Sequence, residues 1–80
     1  MQPSDKLSLA DLTVGTAGRI SSVELDGLLR RRILDLGMIP GTQVECIRKS
    51  PVGDPIAFRV RNTMIALRSD AANLIKVYPF

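Results

Sequence analysis

Only one stretch of this 80-residue chain carries the period of an α-helix, and it stops at a glycine. At ~100° per residue, Leu25, Leu29, Ile33 and Leu36 fall in one narrow stripe, so the spacing predicts a single helix with that stripe against the core. Asp26 is placed to cap its start, and Ser21 with Glu24 offers a capping-box start further upstream. Gly37 can take the left-handed conformation that side chains resist, which ends the helix and lets Met38 fold back onto its last turn. Pro40-Gly41 then has the order of a type II turn, proline fixing φ at the second position and glycine supplying φ > 0 at the third. The rest of the chain has to find its core in strands.

That remainder alternates. Val44 and Cys46 share one face of a strand, Ile56, Phe58 and Val60 one face of the next, and Ile65 and Leu67 one face of a third. Ile75 and Val77 do the same in a last strand over 74–78. Pro51 to Pro55 is too rich in proline for a central strand and reads as a turning loop. Asn62-Thr63 reads as a tight reversal, because asparagine tolerates φ > 0. Residues 8–12 read as a helical turn capped by Ser8, 16–23 as a strand of weak regularity, and 69–73 as a capped helical turn. Residues 1–7 are expected to be a flexible N-terminus and 8–80 a single domain. Short strands between turn signals, with one helix inserted early, indicate a mostly β fold with short helices, a small partly closed barrel. Closure would remove the strand edges that recruit other chains.

Composition narrows the chemistry. There is no histidine and one cysteine, which removes Ser-His-Asp and Cys-His catalysis, an internal disulfide, and the usual zinc and haem ligands. The carboxylates are scattered without Ca²⁺-loop spacing, so neither a metal nor a cofactor is expected and the chain does not read as an enzyme. Cys46, in register with Val44, reads as a small buried hydrophobe. The longest apolar run is Met64 to Leu67, far short of the ~20 residues of a membrane-spanning helix, and Met-Gln-Pro-Ser-Asp-Lys holds no signal-peptide core. A cytoplasmic location is therefore expected. The net charge of +3 is uneven, with eight basic against three acidic groups between residues 30 and 68. Such a middle suits an acidic protein partner or nucleic acid. Only Phe58, Tyr78 and Phe80 are aromatic, and Phe58 is assigned to the core, too few for a platform on which bases stack.

Two linked segments, Arg31-Arg32-Ile33-Leu34-Asp35-Leu36-Gly37-Met38-Ile39-Pro40-Gly41 and, beyond Val44, Pro51-Val52-Gly53-Asp54-Pro55-Ile56, resemble the FeoA family of bacterial ferrous iron transport. The likeness runs over roughly residues 8–78, and the same domain ends metal-dependent repressors of the diphtheria-toxin-repressor type. The resemblance implies an SH3-like barrel with one inserted α-helix. It also implies an accessory or regulatory role and a partner, the FeoB-type membrane transporter with its cytosolic G-protein domain, which would recruit the chain to the inner face of the membrane. A nucleic-acid-binding small barrel, or a stand-alone domain partnering a metal-dependent regulator, is the alternative. Self-association through an edge strand, assisted by Phe80, is the further expectation.

The residues suggest where a partner would sit. Arg30, Arg31 and Arg32 spread over the exposed helix circumference, and Leu34 points away from the core stripe between Arg30 and Arg31, an apolar anchor in a basic rim. Arg59, Arg61 and Arg68 could extend that patch, while a solvated helix face is the plainer reading. The loop with Val52 and Asp54 at its tip is stiffened by Pro51 and Pro55 and is either a binding element or a rigid connection. Leu36, Gly37, Met38, Pro40, Gly41, Pro51, Gly53 and Pro55 are read as structural.

Overall fold

The alternation read from the sequence becomes six antiparallel strands. The computed structural model describes residues 7–79. In chain order these form β1 (Leu7–Ser8), a 3₁₀ turn (Leu9–Asp11), β2 (Ala17–Val23), α1 (Gly27–Asp35), β3 (Gln43–Lys49), β4 (Ile56–Val60), β5 (Thr63–Leu67), α2 (Ser69–Ala72) and β6 (Ile75–Pro79). The strands make one sheet in the order β1-β6-β2-β3-β4-β5. Register shifts between Ile20 and Ser22 and between Cys46 and Arg48 bend it, as bulges do, so that one face curls over the core. The curl does not close: β1 and β5 remain as two edges.

The inward residues named from the alternation are buried. Val44, Cys46, Phe58, Val60, Ile75 and Val77 are fully enclosed, and Ile56, Ile65 and Leu67 nearly so. Leu9, Leu12, Ile20, Leu25, Ile33, Met38 and Ala72 complete the cluster. Burying a side chain such as Phe58 stabilises by about 1.5–3 kcal/mol, and this thin aliphatic core is the main source of stability. Cys46 belongs to it, and burial pushes its thiol pKa up against the opposing charge of Lys49.

The helix ends as its sequence dictates. Gly37 has φ of 101°, its N–H donates to the Leu34 carbonyl, and the Met38 N–H reaches back to the Ile33 carbonyl at 3.2 Å. This is the Schellman arrangement, and it turns Met38 into the core beside Ile33. Thr42 N–H then donates to the Ile39 carbonyl at 3.0 Å across Pro40-Gly41, with Gly41 at φ of 94°, which closes the type II turn.

Four expectations are corrected. Of the stripe assigned to the core, Ile33 and Leu25 are buried, but Leu29 and Leu36 are about two-fifths exposed, because α1 lies beside the edge strand β5 and not over the sheet. The β4–β5 reversal is centred on Arg61 and Asn62, both at positive φ, since Val60 pairs with Thr63. Leu7 pairs with Val77 as the start of β1, and residues 1–6 and Phe80 lie outside the described residues. Arg31 and Asp35, one turn apart on α1, at a spacing from which an ion pair is expected, do not make one; the ion pairs among the described residues are Glu45–Arg59 and Asp70–Arg68.

Candidate docking surface

The residues expected to meet a partner lie on α1 and on the loop before β4. Arg30, Arg31 and Arg32 are all exposed along α1, and no ion pair within the described residues engages them. Arg59 lies 3.9 Å from Glu45 and Arg68 3.8 Å from Asp70, both pairs open to solvent and worth well under ~1 kcal/mol. Three consecutive arginines thus put a dense block of positive charge on the helix.

Leu34, expected to stand outward among these arginines, is half-buried. The outward apolar residue of α1 is Leu28, 85% exposed, with Leu29 and Leu36 partly exposed beside it. Sequence reasoning missed Leu28. The available signal was the Leu28-Leu29 pair: with Ile33, Leu34 and Leu36 it makes the helix apolar around more of its circumference than so thin a core can cover.

The loop expected to act with the helix is built differently at its two ends. Val52 stands at its tip and is 89% exposed. Gly53 N–H donates to the Ser50 carbonyl at 2.8 Å and the Ser50 hydroxyl to the Pro55 carbonyl at 2.9 Å, which ties the base of the loop. Asp54 turns inward: its carboxylate accepts from the Ser69 backbone N–H at 2.6 Å and from the Ser69 hydroxyl at 3.1 Å. It therefore occupies the N-terminus of α2, where orphan N–H groups favour an anion. The Asp54–Pro55 peptide is cis.

Two adjoining cavities run between α1 and the β5–α2 segment. One, of about 430 Å³, runs between Leu25 and Leu29 on the helix side and Leu67, Ala71 and Leu74 on the other. The second, of about 330 Å³, continues from Leu29 to Leu36 along Thr63 to Leu67. Leu29, Ala66 and Leu67 line both, so they form one apolar groove beside the basic face of α1. Such a surface, an apolar strip with a cationic flank, is suited to docking.

A small curled antiparallel sheet with one inserted helix is the architecture of an SH3-like module. The FeoA domain family matches residues 7–79, and the chain belongs to that family. Over 71 residues it is 31% identical to the Fe(2+) transport protein A/Fe(2+) transporter FeoB fusion protein of Porphyromonas gingivalis, covering 89% of this chain and 8% of that one. The chain thus spans less than a tenth of the curated relative's length. Among solved structures, FeoA of Chlorobium tepidum superposes with a TM-score of 0.88 at 30% identity, over 92% of this chain and 70% of that one. Stenotrophomonas maltophilia FeoA, described as a prokaryotic SH3 domain protein in complex with zinc, does so at 0.79 and 31% identity, over 89% of this chain and 88% of that one. The expected likeness to metal-dependent repressors holds for the fold: a manganese-dependent transcriptional repressor matches all of this chain with 45% of its own, at a TM-score of 0.84 and 16% identity.

Proposed function

We propose that this chain is a non-catalytic accessory protein of bacterial ferrous iron uptake, which binds the cytosolic part of a FeoB-type membrane G-protein transporter and regulates it. The observation that carries this reading is the Porphyromonas gingivalis relative, in which a domain of this family and the transporter share one polypeptide. A covalent link raises the effective concentration of two partners without any new contact, so a fused pair supports an association between separate chains of the same kinds. A sequence without histidine agrees with a role in binding and not in turnover. No helix among the described residues is long and apolar enough to cross a membrane, so attachment to the inner face would come through the partner.

The contact surface in this reading is the basic face of α1, with Arg30 and Arg31 around Leu28 and the half-buried Leu34, together with Val52 at the loop tip. Asp54 contributes by holding that loop against α2. Co-purification of the tagged chain with the transporter from its native membrane tests the proposal. Retention of the transporter is the expected result, and its absence, with the isolated cytosolic domain also failing to bind the pure chain, would refute it.

A further inference from the structure

β5 is an edge strand whose own sequence carries none of the usual protections. Thr63–Leu67 carries neither charge nor proline, and Met64 and Ala66 are exposed. In a two-residue hairpin the positions flanking the turn form a hydrogen-bonded pair, and bonded pairs recur at every second residue. Thr63, Ile65 and Leu67 therefore spend their backbone groups on Val60, Phe58 and Ile56, which leaves the N–H and C=O of Met64 and Ala66 pointing away from β4. Among the described residues no other backbone hydrogen bond reaches them.

The groove beside this edge runs the length of the strand. Five consecutive residues of β5 form one wall, an arrangement that arises when a groove follows a strand's edge, since a face would offer alternate residues only. Leu29, Ile33 and Leu36 form the opposite wall with Arg32. Charge selects the occupant. Arg61 precedes β5, Arg68 follows it and Arg32 stands across from it, with Asp70 beside Arg68 the one carboxylate lining the groove. Antiparallel pairing with a second copy would set Arg61 of each chain beside Arg68 of the other, which like charges oppose.

We propose that the free edge of β5 receives an extended segment of a partner protein as a seventh strand. That segment's backbone bonds to Met64 and Ala66, its apolar side chains rest on Leu29 and Leu36, and acidic residues at its ends meet Arg61 and Arg68. This rests on the docking role above and specifies its mode, the addition of a strand to an open sheet.

A synthetic peptide of alternating valine and threonine with two glutamates at each end is the probe, with a lysine-ended version as its counterpart. Titration at low salt is expected to show binding of the acidic peptide, weakened by added salt and about tenfold tighter than the basic one. Amide exchange at Met64 and Ala66 should slow in the complex. Ala66→Pro removes the outward N–H while sparing the ladder to β4, and is expected to abolish binding with an unchanged circular dichroism spectrum; Met64→Lys is the second variant should the first not fold. Equal binding by these variants, no protection at Met64 and Ala66, or a dimer of this chain that the same substitutions dissolve would each overturn the proposal. The transporter's cytosolic domain separates the two readings. If it binds wild type and Ala66→Pro alike, the edge is refuted and the docking role stands; if it binds neither, while the peptide still engages β5, the docking role falls alone.

Discussion

Asp54 and Ser69 are joined twice across fifteen residues, the carboxylate taking both the backbone N–H and the hydroxyl of the serine. One side chain thereby caps α2 and pins the loop that carries Val52. Removing it leaves a helix N-terminus and a loop base without their shared partner. Asp54→Ala is expected to destabilise the domain by about 1–2 kcal/mol, with Asp54→Asn milder because one acceptor remains. Urea denaturation monitored by circular dichroism measures both.

Gly37 is held by two constraints of different kind. Its φ of 101° strains any side chain, and a Cβ there would stand 3.0 Å from Cδ of Arg61. Gly37→Val should therefore lower stability by ~1–3 kcal/mol. Removing the Arg61 stem removes the contact but not the strain, so Gly37→Ala should cost somewhat less in an Arg61→Ala background, while the backbone strain persists in both. A double-mutant cycle on the melting midpoints reads the difference.

Arg30→Glu with Arg31→Glu inverts charge on a face that makes no ion pair among the described residues. Stability should change by less than about 0.5 kcal/mol, as for exposed positions generally. Capture of the transporter's cytosolic domain should fall, most strongly at low salt. Leu34→Asp is unsuitable for this purpose, since a half-buried charge would cost stability; Leu28→Asp is the clean partner substitution.

The Cys46 thiol, enclosed in the core with its pKa raised by burial, should resist disulfide exchange reagents in the native state and react once the chain is unfolded. The sign of the pH effect follows. Above the ordinary thiol value the unfolded chain releases this proton while the native chain keeps it, so this group's contribution lowers stability as pH rises through that range. Cys46→Ala should flatten the alkaline limb of a stability–pH curve.

Much of the fold was legible because strand alternation is a local signal: Val44, Cys46, Phe58, Val60, Ile65 and Val77 all face where a period of two places them. Gly37 and Pro40-Gly41 were legible for a similar reason, since φ > 0 is written into one residue at a time. The helix was harder. A stripe shows which residues agree with one another, not what surface exists to receive them, and a sheet this small has none wide enough for Leu29 and Leu36. Asp54 escaped because its partner lies on another element, and Arg61 because a positive φ at an arginine is imposed by the hairpin and not by the side chain. The open edge of β5 depends on strand order, which no single strand encodes.

Of the nine residues of α1, only Ile33 is buried, and the Schellman turn fastens the far end through Met38. Its near end is tied as well, since Leu25 is buried and the Glu24 N–H donates to the Leu74 carbonyl at 2.7 Å. The helix is thus strapped to the sheet at both ends and held between them by Ile33 alone. Loosening that middle span would forfeit the burial of one side chain and leave the strands that hold Phe58 undisturbed.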